Sequence, residues 1–405
     1  MSQQPREFDA VLGGNNPPPV TGVVLGGIEG VKRRLESEIV DVRIKALSDG
    51  LNYGEAGLNL VIEALEDDSL QVKGFASKLL KEFGGEKGKQ ALLEFDPYLY
   101  FTKLEDWEVV DFNPEIGIVN PEGKAYVLGY EEFQPFDFNK FNTFLKDSKI
   151  SEVKALICQK WVGNHDLGKF SDIVQAICDA SDKLTSLKTI FLGDGYDEYY
   201  KASFVNLGDI SGILTAYPNL EFLQVCGDGC SLKFQPLQHN KLKTLIIETG
   251  YGISNKAIEQ ICALELPNLE YLELWLGPDY KYLEEENSST LDSLIPLFNG
   301  DLFPKLKYLG IKSCEYSDEL AKVLVRSPLI NRLSILDISM AKLTDEGFDT
   351  LVNCPAINQL YALDVSMNRL STAAIEKSSL LSCSVKTEPQ DTESSRGMRC
   401  WSLYE

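Results

Sequence analysis

The segment LPNLEYLELWLG, residues 266 to 277, places Leu269, Leu272 and Leu274 in an L-x-x-L-x-L frame, and this frame recurs through the C-terminal half of the chain. The other copies are Leu187-Ile190-Leu192, Leu220-Leu223-Val225, Leu242-Leu245-Ile247, Leu306-Leu309-Ile311, Leu333-Leu336-Ile338 and Leu360-Leu363-Val365, with Val153-Leu156-Cys158 as a worn copy in front. Successive starts lie 33, 22, 27, 37, 27 and 27 residues apart. Within each frame the apolar residues alternate, which fits a strand with one face toward a core.

Between frames the apolar period becomes helical. In the stretch Leu343 to Leu351, Thr344 is placed to cap a helix that Pro355 follows, and similar helices fit Lys169 to Ala180, Asn255 to Ala263, Leu291 to Phe298, Asp318 to Val325 and Thr372 to Leu381. One strand and one helix per repeat, at a spacing near 20 to 29 residues, is the signature of a leucine-rich repeat. Stacking such repeats predicts an α/β solenoid with a parallel concave sheet and helices on the convex side.

Several phrases, FLGD (191 to 194), AYPNLEFL (216 to 223), LKTLIIETG (242 to 250), FPKLKYLGIKS (303 to 313) and LTDEGFDTL (343 to 351) with the opening segment, resemble a bacterial leucine-rich repeat family of unassigned function. The resemblance runs over about residues 107 to 405 and implies a ribonuclease-inhibitor-like fold, with no activity attached.

A second period lies upstream. Val42-Arg43-Ile44-Lys45-Ala46 and Val72-Lys73-Gly74-Phe75-Ala76 repeat a V-[RK]-x-x-A core thirty residues apart, and Val40, Ile44, Leu47, Leu51 and then Val72, Phe75, Leu79, Phe83 recur at helical spacing. These segments resemble HEAT-type helix pairs, and the stretch FDAVLGGNNPPPVTGVVLGGIEGVKRRL before them resembles a leader found on cyanobacterial multidomain proteins. The expected organisation is a Gly/Pro-rich arm (1–27), an all-α HEAT-like module (28–96), an aromatic-rich cap (97–150), the solenoid (151–385) and a polar tail (386–405). The cap is expected to carry a β-hairpin over Ile118 to Val127 around an Asn-Pro-Glu-Gly turn, and Arg399 to Glu405 to add a closing strand.

Net charge is −22, a field that repels phosphate backbones and anionic lipid and argues against nucleic-acid or membrane-surface partners. No basic n-region with an apolar run opens the chain, and no stretch of about eighteen apolar residues occurs, so a cytoplasmic protein is expected. Nine cysteines, an odd number without a CxxC pair, fit reduced core residues.

The only histidines, His165 and His239, have no ligand or triad spacing. Cys226 and Cys230 lack a second ligand pair, and the acidic stretches Asp194 to Glu198 and Glu284 to Glu286 lack a calcium-loop spacing. The glycine pairs match no phosphate-binding loop. No catalytic, metal or cofactor residue is therefore expected.

The remaining surface is the concave sheet. Its outward positions, read from the frames, bring Tyr271, Trp275 and Tyr308 onto adjacent strands with Phe222, Glu248, Glu273, Lys312, Asp337 and Asp364 around them. Aromatics ringed by charge suit an interaction hot spot, and the carboxylates favour a basic partner. Cross-strand packing, with loops or the tail covering the rings, is the structural alternative. The expected function is a non-catalytic scaffold or adaptor that holds a protein or peptide on this face. The rivals are a cofactor-handling protein similar to parts of cyanobacterial bilin lyases, by resemblance of the helical module alone, and an immunity-type inhibitor of a basic protein.

Overall fold

The computed structural model describes residues 27–128, 136–159, 170–193, 205–277 and 289–390. The expected arm up to its last residue, the closing strand, His165 and the two acidic stretches lie outside them, and Gly27, the end of that arm, opens the first helix. The chain divides into two compact units, Met1–Tyr100 and Phe101–Glu405.

Among its described residues the first unit is helical, with α1 (Gly27–Leu35), α2 (Val40–Gly50), α3 (Gly54–Glu63), α4 (Leu70–Phe83) and α5 (Gly85–Phe95). Its core gathers Leu47, Val61, Leu65, Val72, Ala76, Leu79, Leu80 and Leu92, so both V-[RK]-x-x-A copies point their alanine inward. The arginine of the first copy has a structural role, for Arg43 donates to the Ser37 carbonyl at 2.7 Å and pairs with Asp67 at 3.0 Å. Helices α2 and α3 cross where glycine meets glycine, since a Cβ on Gly57 would lie 1.7 Å from the Gly50 carbonyl oxygen. Phe83, at the last position of α4, points outward instead of joining the core.

Among the described residues, the second unit is built on one sheet of eleven strands, all parallel and in chain order. They are β1 (Glu108–Asp111), β2 (Lys124–Val127), β3 (Ala155–Gln159), β4 (Thr189–Gly193), β5 (Phe222–Gly229), β6 (Thr244–Ile253), β7 (Tyr271–Trp275), β8 (Tyr308–Lys312), β9 (Ile335–Asp337), β10 (Ala362–Asp364) and β11 (Ser384–Lys386). Helices α6 (Phe138–Phe144), α7 (Phe170–Asp179), α8 (Ser211–Ala216), α9 (Asn255–Cys262), α10 (Leu291–Phe298), α11 (Ser317–Leu324), α12 (Asp345–Val352) and α13 (Thr372–Glu376) fall between strands. The leucines of every frame enter one continuous core with the apolar faces of these helices, as a leucine-rich repeat solenoid requires.

Each expected helix among these is present within a residue or two, the last of them completed by a 3₁₀ turn at Lys377–Leu380. The Thr344 hydroxyl accepts from the Glu346 N–H at the start of α12. Two departures follow from repeat length. The 22-residue repeat between Leu220 and Leu242 has no room for a helix and crosses in extended form, touching neighbours through single bridges at Lys233 and Gln238. Helix α8 belongs to a 33-residue repeat and escapes the sequence reading because it is only six residues long.

The expected hairpin at Ile118 to Val127 is not formed. Lys124–Val127 is a strand, but it pairs in parallel with β1 on one side and β3 on the other. The Asn120 and Gly123 bends, both at positive φ, turn the chain into β2 without returning it antiparallel. The solenoid therefore starts at residue 108, inside the segment expected to be a separate cap. Five aromatics of that segment, Phe112, Tyr126, Phe136, Phe141 and Phe144, fill the front of the core, where Phe112 and Tyr126 meet Phe144 at ring distances of 4.9 and 5.8 Å.

Towards the C-terminal end the repeats become strictly regular. Ser313, Met340 and Met367 occupy the same position after β8, β9 and β10, and all three are left-handed. Close by, Asn368 is fully buried: its amide nitrogen donates to the carbonyls of Ile338, Val365 and Ser366, and its oxygen accepts from Leu343 N–H at 2.9 Å. It fills the N/C site of the longer L-x-x-L-x-L-x-x-N/C-x-L pattern, as Cys314 does two repeats earlier. We expect Asn368→Ala to strand several buried backbone groups at about 1–3 kcal/mol each. Urea unfolding of the variant should show a lowered midpoint with an unchanged slope; a midpoint equal to that of the parent chain would refute this role.

Candidate functional site

Parallel register decides which side chains meet on the concave face. Thr189, Phe222, Thr244, Tyr271, Tyr308, Ile335 and Ala362 form one column across the sheet, and Phe191, Gln224, Ile246, Glu273, Gly310, Asp337 and Asp364 form the next. Both columns are as the frames predict.

Within them the structure assembles a compact polar and aromatic cluster. The Tyr271 and Tyr308 rings stack with centroids 3.7 Å apart and planes within 4°. Gly310 leaves room for this, since a Cβ there would lie 2.9 Å from the Tyr308 ring and 3.1 Å from Glu273 Cγ. Glu273 accepts from the Tyr271 hydroxyl at 2.6 Å and from Trp275 Nε1 at 2.7 Å. The Tyr308 hydroxyl donates to Asp337 at 2.7 Å and lies 3.0 Å from Glu273. Lys312 joins the two carboxylates, 3.0 Å from Glu273 and 3.3 Å from Asp337, and its ammonium sits 5.8 Å from the Trp275 ring centre.

The electrostatics follow from this arrangement. Burial works against the charge on Asp337, but Lys312 and the bonds from Ser339 and Tyr308 outweigh it and hold the carboxyl below its usual range. Burial also opposes the Lys312 charge, and Asp337 with Glu273 reverses that effect and raises its pKa. Both phenols are pushed well up by burial and the adjacent carboxylates. The lysine and both tyrosines are therefore fully protonated at neutral pH.

The remaining expected residues sit nearby without joining the cluster. Glu248 accepts from Gln224 at 2.9 Å, Phe222 is packed into the face, and Asp364 pairs with Lys386 at 3.1 Å while accepting from the Ser366 N–H and hydroxyl. The Asp337 carboxylate likewise accepts the Ser339 N–H two residues on. These carboxylates thus serve the sheet's own bends and side chains.

The expected exposure is not found. All but Lys312 of the nine residues are buried, Tyr308 to 1% and the most open, Trp275 and Glu248, to 9%. Part of the cover is the segment that precedes β1. Phe101 sets its ring edge-on against Tyr271 and Tyr308, at 5.2 and 5.8 Å, and is itself 3% exposed. Leu104 and Trp107 then pack on the outward residues of β2 to β5, namely Ala125, Val127, Ala155, Ile157, Phe191 and Cys226. The sequence signal for this strap is an apolar residue at every third position, F-x-x-L-x-x-W, with a 3₁₀ turn at Leu104–Asp106.

Other reactive groups are occupied elsewhere. His239 is a buried clamp: its Nδ1 accepts from the Leu242 N–H at 3.0 Å, which leaves Nε2 to donate to the Tyr217 carbonyl at 3.0 Å. Burial raises the thiols of Cys158, Cys230, Cys262 and Cys314, to about 11 for Cys230 and Cys262 and about 12 for Cys314. Among the described residues no three histidine, cysteine or acidic side chains converge on a metal position.

No family model matches the chain, and no curated protein matches it. Among solved structures, a Bacteroides fragilis protein determined by the Northeast Structural Genomics Consortium is similar, with a TM-score of 0.58 and 27% identity over 66% of this chain and 75% of that one. An internalin of Listeria monocytogenes aligns over 67% of this chain and 75% of its own at 13% identity, but its TM-score of 0.29 is too low to carry an argument.

Removing the lysine should expose how far the cluster depends on it. Lys312→Met leaves Glu273 and Asp337 facing each other under cover, and we expect a loss of about 3–5 kcal/mol in urea unfolding at pH 7. The lowered pKa of Asp337 means that its contribution holds above the ordinary carboxylate range and fades as pH falls through the lowered value. The raised pKa of Lys312 means that its contribution holds below the ordinary lysine range and fades as pH rises through the raised value. The gap between parent and variant should thus stay wide at neutral pH and narrow on acidification, where protonation relieves the stranded carboxylates. A gap independent of pH would contradict the assignment.

Proposed function

We propose that the chain is a non-catalytic scaffold whose concave face holds a segment of another protein. One observation carries this reading: the face already accommodates a peptide segment, residues 101 to 107, through side-chain contacts with a preformed aromatic floor. A rigid sheet that presents large rings at low ordering cost suits such a site.

The chemistry of the face favours apolar and aromatic anchors over basic ones. Its carboxylates already accept from Tyr271, Trp275, Tyr308, Lys312 and Lys386, so an incoming cation would have to displace an internal partner. This weakens the immunity-type alternative. A form of the cofactor-handling alternative that works through a thiolate of this chain is disfavoured at Cys158, Cys230, Cys262 and Cys314, whose thiols burial raises. The helical unit, read as HEAT-like, leaves Ile39, Leu70 and Phe83 each more than half exposed.

A photo-crosslinking residue at Gln224, half-buried in the concave face, distinguishes this reading from an idle scaffold. Irradiated in lysate of the source organism, it should form a covalent adduct with a partner protein, while the same residue at convex Glu346 should not. Adducts at Glu346 alone, or none at either site, would count against the proposal. On the same reading, the thiols of Cys158, Cys230, Cys262 and Cys314 should alkylate slowly at pH 7.5 in the folded chain and rapidly in urea. A fast-reacting native thiol among those four would revive the enzyme alternative.

A further inference from the structure

The strap over the concave face differs from the repeats around it. Strands and helices of the solenoid are held by a continuous backbone ladder and by frame leucines in a shared core. The strap is laid across the sheet and closes backbone hydrogen bonds within itself, Asp106 N–H to Lys103 carbonyl and Trp107 N–H to Leu104 carbonyl. The Asp106 carboxylate also accepts the Lys103 N–H at 3.0 Å. Three apolar side chains, Phe101, Leu104 and Trp107, pack on the face, and they are held unequally. Phe101 is buried against the stacked tyrosines, whereas Leu104 and Trp107 are only half-buried. The Trp107 indole N–H is also buried without a hydrogen-bond partner, a standing cost of the docked state.

Such a segment can leave without breaking the sheet. The floor beneath it is self-sufficient, since Tyr271, Tyr308, Glu273, Asp337 and Lys312 satisfy one another's polar atoms in place. The strap also contacts the positions expected to bind a partner, so strap and partner cannot occupy them together. Accepting that the concave face is a binding site, we propose that residues Phe101–Trp107 are its built-in occupant. The partner is then a protein segment that presents an aromatic, an aliphatic and an aromatic side chain at every third position and takes the strap's place.

A labelled peptide of residues 99–109, LYFTKLEDWEV, is the probe. Its binding is followed by fluorescence anisotropy with the intact chain and with full-length Phe101→Ala/Leu104→Ala/Trp107→Ala. Since apparent affinity falls with the fraction of chains whose site is open, the strap variant should bind the peptide about tenfold or more tightly than the parent. A peptide of scrambled order should bind neither. If the triple variant fails to fold, Trp107→Ala alone removes only a half-buried ring and serves in its place. Hydrogen exchange of the parent chain supplies the second readout: strap amides should exchange about 100-fold faster than those of β5 to β8, as local opening requires.

Both results together support the displacement proposal. Strap amides that exchange with the strands, combined with no gain in peptide binding, identify a permanent wall and overturn it. Tight binding to the variant with a slow parent strap keeps the binding site but also overturns displacement. A fast strap with no peptide binding to the opened face overturns the proposed partner chemistry and the binding reading beneath it, leaving strap release as a property of the fold.

Discussion

The in-register pairing of parallel strands is the constraint on which the second unit depends. In such a ladder each residue has one neighbour on either side, so a side chain at the first outward position of β7 must meet its counterpart on β8. Two tyrosines at that position, 37 residues apart in the chain, are thereby brought face to face. The next column then sets Glu273 between their hydroxyls, and the third places Lys312 beside Trp275. No loop has to be shaped for this cluster to form. Equivalent positions in consecutive repeats suffice.

A cluster assembled this way has an energetic consequence. Two carboxylates, one ammonium and two phenols under cover are tolerable because each accepts or donates within the group, and a partial set would be worse than an apolar floor. The same completeness limits what the face can offer a ligand. Its charges are already compensated, and what remains toward the strap is ring surface: the edges and faces of Tyr271 and Tyr308, followed by the apolar residues of β2 to β5. On the proposed reading, the net charge of −22 would steer a partner at long range, while specificity on this face would rest on shape and on the spacing of apolar anchors.

Much of the architecture was legible because leucine-rich repeats write their register into a short frame. The frames from Leu187 to Leu360 locate β4 to β10, and counting outward positions gives the concave columns that the pairing confirms. Where the chain departs from the frame, local reasoning misled. Asn120-Pro121-Glu122-Gly123 has hairpin chemistry, yet neighbouring parallel strands claim both edges of Lys124–Val127. Burial was the larger failure. Alternation tells which side of a sheet a side chain is on, but it is silent about what lies across that side, and Tyr308 at 1% exposure shows the difference.

The strap was hidden for a related reason. Its residues sit in an aromatic-rich stretch that the sequence presents as core material for a cap, and five of those aromatics, Phe112, Tyr126, Phe136, Phe141 and Phe144, do enter the core. Three of the apolar residues, Phe101, Leu104 and Trp107, follow a different rule, a period of three that suits neither the strands nor the α-helices nearby. A side chain every third residue advances along one face of a segment with three residues per turn, such as the 3₁₀ turn at Leu104–Asp106, which is a geometry suited to touching successive strands while crossing them. The period therefore separates residues that build the solenoid from residues that lie on it. It also explains why the patch at Tyr271, Trp275 and Tyr308 reads as a binding site in the sequence and as a buried floor in the structure: the chain lays its own Phe101 on that patch, from 170 residues upstream of the first tyrosine.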